Sequence, residues 1–275
     1  RYRADVAVIG GGIAGVCAAC AAAREGADVI LVERFGVTGG NATVGGVANW
    51  SGETAGQGAV FDEILAMQEA WHSIAPYPGP YESGGQNRVF DHEILAVILQ
   101  ELLLQHGVRL LLHTRCIDAQ RDGHRVGPVL LAGASGVEGL DASVYIDSSG
   151  GAELARAAGC TMLPPGPLGP LPPSMMAFVR ELRESAAPQL PPGWFDPVTR
   201  TADLPMTSTW PAGPEAMALK IKVPGYDSGD TASLTALEIR ARRRLWEVLD
   251  FYQRNFRGEE TPLRHAPRNA GATRW

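Results

Sequence analysis

Hydrophobic and polar positions alternate between two periods along the chain. Residues 5–9 form a β-branched apolar run of buried-strand length, and Gly10, Gly11 and Gly12 stop it. Residues 13–25 are Ala-rich with only Gly15 interrupting, which predicts a helix that Gly26 ends. Residues 28–32 supply a second buried strand. A strand, a helix and a strand so close together make a β-α-β unit, which implies a parallel sheet with a right-handed crossover.

Beyond this unit the pattern loosens. Residues 36–59 are glycine-rich with little helical period, and an ordered loop of that length is usually functional. Helical spacing returns at 60–71, a Pro/Gly-rich loop follows at 76–85, and Asp91 is a fitting N-cap for a helix that runs to about residue 106 and stops at Gly107. Short strands are expected at 108–113, 116–120, 126–132 and 142–146, antiparallel pieces inserted into a parallel framework. The last ends in Asp-Ser-Ser-Gly-Gly at 147–151, and a short helix at 152–158 repeats the strand-glycine-helix order of the N-terminus.

Six prolines between 164 and 173 exclude helix and place a boundary near 160. Further strands are expected at 175–179 and 216–223. A helix follows in which Thr235 and Glu238 match a capping box, and Leu237, Ala241, Leu245, Leu249, Tyr252 and Phe256 form one apolar stripe. Arg240, Arg242, Arg243 and Arg244 occupy the rest of that helix, as a solvated face or else an interface or anionic-substrate patch. Residues 257–275 have no period and are expected to be irregular.

At 275 residues the chain has room for one large or two modest domains. Apolar residues are 45%, charged residues 20% and the net charge is -6, which excludes a disordered chain and argues against nucleic-acid partners. The 33 glycines and 20 prolines point to many turns and close backbone approaches. Four cysteines without regular spacing make no disulfide framework, so a reducing, cytoplasmic setting is expected. Residues 6–23 are uncharged, but three adjacent glycines argue against a signal peptide or membrane span, and no membrane association is expected.

Chemistry is concentrated at the first turn. Gly10, Gly11, Gly12, Ile13, Ala14 and Gly15 fit G-x-G-x-x-G directly after a strand and at the start of a helix. In that setting Gly10 permits the tight turn, Gly12 lets backbone approach a pyrophosphate, and Gly15 lets helix and strand pack closely. The N–H groups of the helix start then face the phosphates. Glu33, ending the second strand, is placed to accept hydrogen bonds from a ribose diol and to repel a 2′-phosphate. These residues predict dinucleotide binding without separating NAD from FAD.

From Glu33 onward the chain resembles the FAD-dependent oxidoreductases of the glutathione-reductase-like superfamily, over roughly residues 4–160. Glu33 and Arg34, followed by Gly39, Gly40, Asn41, Ala42 and Thr43, are similar to the glycine-rich stretch with which these enzymes wrap FAD. The helix at 91–106 leads to a strand ending near Cys116, where the family touches adenine through backbone. Ile146, Asp147, Ser148, Ser149 and Gly150 resemble a family strand ending in Asp-Ala-Thr-Gly, whose turn lies beside the nucleotide. The family commonly continues with Gly-Asp, where this chain has Gly151, Ala152 and Glu153.

The resemblance implies FAD as cofactor, held by Gly10, Gly12, Ile13, Ala14, Gly15, Glu33, Arg34, Gly39, Gly40, Asn41, Thr43, Cys116, Ser149 and Gly150. The implied fold is α/β: a Rossmann-like FAD-binding domain at 1–160 with a parallel sheet and inserted antiparallel strands, a partial α+β substrate domain at 161–256, and a tail at 257–275. Family members run on to a Gly-Arg-type strand and a glycine-rich helix that close over the flavin. Nothing of that kind follows Phe256, and the chain starts at Arg1 without Met, so an incomplete chain is expected.

Other chemistry-bearing residues have simpler explanations. Cys17 and Cys20 lie on the dinucleotide helix where small side chains pack, while the loop at 36–59, where disulfide reductases of the superfamily keep their reactive pair, has no cysteine. Asp91, His92 and Glu93 read as a helix cap with an acid in the first turn. His72, His106, His113 and His124 lack metal-ligand spacing, so no metal is expected.

Three functions remain open: an FAD-dependent oxidoreductase moving a hydride or electron pair between a small-molecule substrate and flavin; a truncated or split nucleotide-binding module that needs a partner chain or homo-oligomer to complete the flavin site; and an NAD-dependent dehydrogenase. No motif identifies catalytic residues.

Overall fold

The computed structural model describes residues 1–52, 54–76, 88–163, 172–180, 190, 193–211, 216–227 and 229–255. The expected linker at 164–173 lies largely outside these residues, and Phe256 with the tail at 257–275 lies wholly outside them. The chain divides into two compact units, residues 1–77 with 81–164, and residues 78–80 with 165–275.

The first unit begins with β1 (Tyr2–Ile9), α1 (Ile13–Arg24) and β2 (Val29–Val32). A small subdomain follows: β3 (Asn49–Trp50), α2 (Ala59–Ala70), β4 (Ile74–Pro76) and β5 (Arg88–Phe90). Then come α3 (His92–Gln105), β6 (Arg109–Leu111), β7 (Arg115–Asp122), β8 (Arg125–Gly133), β9 (Gly136–Asp147) and α4 (Glu153–Ala157). The main sheet has the order β6-β2-β1-β9-β8-β7. Its β6-β2-β1-β9 portion is parallel, while β7, β8 and the start of β9 form an antiparallel meander.

Strand β9 joins the two portions, because Leu140 pairs with Val129 of β8 and with Tyr2 of β1. Alternation places Ala7, Ile9, Ile30 and Val32 in one apolar layer with Cys116, Val129, Leu131, Leu140 and Leu154. Val8 and Leu31 project from the opposite face, with the buried residues of α1 and α3 completing the unit's core. Asp91 caps α3, its carboxylate accepting from the N–H groups of Glu93 and Ile94. In the subdomain, Trp50 packs against Phe61 and Phe90 at 5.1 and 4.6 Å.

The second unit contains β10 (Ser174–Arg180), β11 (Ser208–Pro211), β12 (Ala216–Lys222) and α5 (Thr231–Asn255). Its antiparallel sheet has the order β10-β12-β11. Met217, Leu219 and Ile221 share one face of β12 and pack with Leu237, Ala241, Val248, Phe251 and Tyr252 of α5.

Helix α5 corrects two expectations. Asp230 caps it, its side chain accepting from Ser233 N–H and its carbonyl from Leu234 N–H, whereas the Thr235 hydroxyl bonds back to the Thr231 carbonyl. Nor is the arginine run simply solvated: Arg240 and Arg244 bond the carboxylate of Glu247, whose side chain is only 1% exposed.

Candidate nucleotide-binding site

The turn between β1 and α1 is built from three glycines with different duties. Gly10 has φ +104°, and a Cβ there would sit 2.4 Å from the Ser148 carbonyl oxygen. A Cβ at Gly15 would sit 1.9 Å from the carbonyl oxygen of Gly10. Both positions therefore exclude a side chain because the protein's own backbone passes there. Gly12 differs: its φ of -64° suits any residue, and a Cβ would meet no protein atom within 4 Å. The protein does not need glycine at position 12 for its own packing.

Gly12 is also the N-cap of α1, with no side chain bonded to the helix start and no acid in the first turn. The first intrahelical bond runs from Val16 N–H to the Gly12 carbonyl, 2.9 Å. The N–H groups of Ile13, Ala14 and Gly15 precede it, at the positive end of a twelve-residue helix.

Glu33 is buried beside this turn. One carboxylate oxygen accepts from Gly11 N–H at 2.6 Å and the other from Phe35 N–H at 2.9 Å. Its backbone is held by bonds to Leu111 and Thr114. Two backbone amides thus fix the carboxylate and leave each oxygen a further lone pair. Gly11, not assigned from sequence, belongs to the site, because its N–H orients Glu33 and a Cβ there would lie 3.0 Å from the carboxylate.

The glycine-rich loop lies directly over the turn. Gly39 N–H donates to the Gly11 carbonyl at 2.7 Å, and Gly39 bridges Gly12 in parallel fashion. A Cβ at Gly40 would sit 3.1 Å from the Gly12 Cα. Asn41 is exposed, whereas Thr43 is buried and its hydroxyl donates to the Thr38 carbonyl. The Thr38 hydroxyl is buried without a partner.

A third segment closes the group. Ser148 N–H donates to the Ile9 carbonyl, bringing the 147–151 turn against Gly10. Ser149 donates its hydroxyl to Asp147 at 2.6 Å and accepts Glu153 N–H at 2.7 Å. Burial pushes the Asp147 carboxyl up, but hydrogen bonds from Ser149, Ala155 and Leu154 outweigh it and hold the group below its ordinary value. Gly150 is open, with φ +75°. Arg34 and Arg115 both pair with Glu153, so the residue after Glu33 is tied to this turn.

Cys116 sits one residue beyond Arg115, and its thiol turns into the core, pushed up to about 11 chiefly by burial. Only its backbone can face a ligand. The irregular register between Cys116 and Asp118 interrupts the ladder there. Cys20 is fully buried, its thiol pushed up to about 12 chiefly by burial, and Cys17 is half-buried, as packing positions require. Among the described residues no cluster of His, Cys, Asp and Glu could hold a metal ion. No helix among them is long and apolar enough to cross a membrane.

A family model for FAD-dependent oxidoreductases matches residues 5–164, more than half of the chain. The chain belongs to that family. Its cofactor is FAD, and the residues present fit the ADP portion: a glycine cradle that a Cβ would fill, helix N–H groups behind it, and a fixed carboxylate alongside. No curated protein matches the chain.

Among solved structures the family member is similar to a geranylgeranyl bacteriochlorophyll reductase-like protein from Thermoplasma acidophilum, at 16% identity and TM-score 0.58 over 93% of this chain and 63% of that one. It is also similar to the flavin-dependent brominase Bmp2, at 15% identity and TM-score 0.52 over 88% of this chain and 64% of that one. A third is OxyS anhydrotetracycline hydroxylase from Streptomyces rimosus, at 17% identity and TM-score 0.50 over 86% of this chain and 49% of that one. These likenesses show a shared fold, and this chain spans between 49% and 64% of those chains' lengths.

Proposed function

We propose that residues 1–160 hold the ADP portion of FAD and that 161–256 form part of a substrate domain, with 257–275 a tail. The protein in this reading is an FAD-dependent oxidoreductase that moves a hydride or electron pair between a small-molecule substrate and flavin. The observation that carries it is the Gly12 cradle, with Glu33 fixed beside it by Gly11 N–H. When bound, FAD supplies the two-electron chemistry. N–H groups of Ile13, Ala14 and Gly15 bind the diphosphate, and the free lone pairs of Glu33 accept from the ribose hydroxyls. Gly39 and Gly40 cover the turn, while Arg34, the Cys116 backbone and the Ser149–Gly150 turn border the adenosine end. Asn41 and Thr43 belong to the covering loop.

A second reading is a nucleotide-binding module that needs a partner chain or another copy for turnover. An NAD-dependent dehydrogenase finds no support in the family. A yellow purified chain that releases FAD on heat denaturation and bleaches with a reductant is the result expected of the oxidoreductase. A colourless chain that binds ADP and FAD on titration favours the module, and one that binds neither refutes both.

A further inference from the structure

Glu153 follows Ala152, whose φ of +55° is uncommon for a residue with a side chain. Its backbone is pinned by Glu153 N–H donating to the Ser149 hydroxyl at 2.7 Å, which in turn donates to Asp147. Its carboxylate, 17% exposed, takes Arg34 at 2.9 Å and Arg115 at 3.2 and 3.3 Å. Arg34 is also held from its other side, its guanidinium lying 4.9 Å from the Phe35 ring centroid. The two arginines come from different segments, one following Glu33 at the end of β2 and one opening β7. His113 N–H donates to the Phe35 carbonyl and Thr114 N–H to that of Glu33, which fixes the spacing of these segments.

Two exposed arginine side chains would ordinarily sample many rotamers and lose that freedom on binding a ligand. Here one largely buried carboxylate orders both in advance.

We propose that Glu153 is a positioning residue of the nucleotide site: by clamping Arg34 and Arg115 it presets the cationic border of the adenosine end before FAD binds. The inference rests on the assignment of the ADP site above and adds the residue that preorganises it. Preorganised side chains raise affinity by removing ordering cost from the binding step. Glu153→Ala should therefore weaken FAD and ADP by the same factor, about tenfold. The alternative outcome follows from charge alone: freed arginines would attract a diphosphate more strongly, and affinity would rise.

The test is calorimetric titration of FAD and ADP into the intact chain, its Glu153→Ala, Glu153→Asp and Arg34→Ala variants, and the Arg34→Ala/Glu153→Ala double variant, with circular dichroism confirming each fold. Glu153→Ala is expected to lose about tenfold for both ligands. Glu153→Asp should recover part of that loss. In the Arg34→Ala background, removing Glu153 should cost much less than in the wild type, a non-additivity that a merely structural role would not produce. Unchanged or increased affinity in Glu153→Ala, or full additivity in the double variant, overturns the inference while leaving the ADP site standing. A wild-type chain that binds neither ligand overturns both.

Discussion

Replacing glycines one at a time in the first turn separates folding from binding. Gly10→Ala places a methyl group 2.4 Å from the Ser148 carbonyl oxygen and 2.6 Å from the Ser149 Cα, both backbone atoms that cannot rotate aside. It also asks alanine to hold φ +104°. Backbone strain of that kind costs about 1–3 kcal/mol and overpacking a further 1–3 kcal/mol, so a loss of about 3 kcal/mol is expected. For a chain of this size that lowers Tm by roughly 6–12 °C. Gly12→Ala meets no protein atom, and its φ of -64° is ordinary for alanine. A small gain from restricting the unfolded chain offsets a small capping loss, leaving stability within about 1 kcal/mol of wild type. Thermal unfolding of the ligand-free variants should rank Gly10→Ala far below Gly12→Ala and wild type, while FAD titration should show Gly12→Ala impaired. A Gly12→Ala variant as unstable as Gly10→Ala would mean that all three glycines serve packing, and the steric division proposed for the motif would be wrong.

Three further outcomes are expected. The Asp147 carboxyl is held below its ordinary value of 3.8, so its contribution to stability is complete above pH 3.8 and fades as pH falls below that; Asp147→Asn should flatten this part of the acid-unfolding profile. Burial lifts the Cys20 and Cys116 thiols to about 12 and about 11, so mild alkylation at pH 8 of the folded protein should label exposed Cys160 and spare those two, as peptide mass mapping would show. Glu247→Ala should destabilise the second unit by about 1–2 kcal/mol in urea titration, because Arg240, Arg244 and the Asp196 N–H lose their acceptor but the arginines still reach water.

Those parts of the fold with long, one-sided patterns are legible in the sequence. The apolar runs of β1 and β2, the Ala-rich α1, and the capped α3 all lie within a few residues of expectation. Strand β1 begins earlier, at Tyr2, because its first half alternates between exposed and half-buried positions while pairing with β9, a weaker signal than a continuous apolar run. Strands β3, β4 and β5 have two or three residues each, too few to show any period. Strand β11, four residues long, is also too short to show one. Helix α5 starts at its aspartate cap instead of the Thr-x-x-Glu match, a choice made by local hydrogen bonding that sequence spacing alone does not rank.

The site divides in the same way. Gly10, Gly12, Gly15 and Glu33 could be named from spacing because one β-α-β unit fixes their geometry. Gly11 is masked by its neighbours in a run of three glycines, and its duty depends on where the Glu33 carboxylate turns. Glu153 is invisible for a different reason: it acquires meaning only when Arg34 and Arg115, 119 and 38 residues away in sequence, converge on it.

In the proposed function, backbone amides at the Gly12 turn hold the diphosphate of FAD. Competition titration tests it most directly, with FAD bound to the purified chain and challenged by ADP or by FMN, in wild type and Gly12→Val. ADP is expected to displace FAD and FMN is not, while Gly12→Val should bind neither FAD nor ADP and keep its fold. FAD binding that survives in Gly12→Val, or that FMN abolishes and ADP leaves untouched, would contradict it.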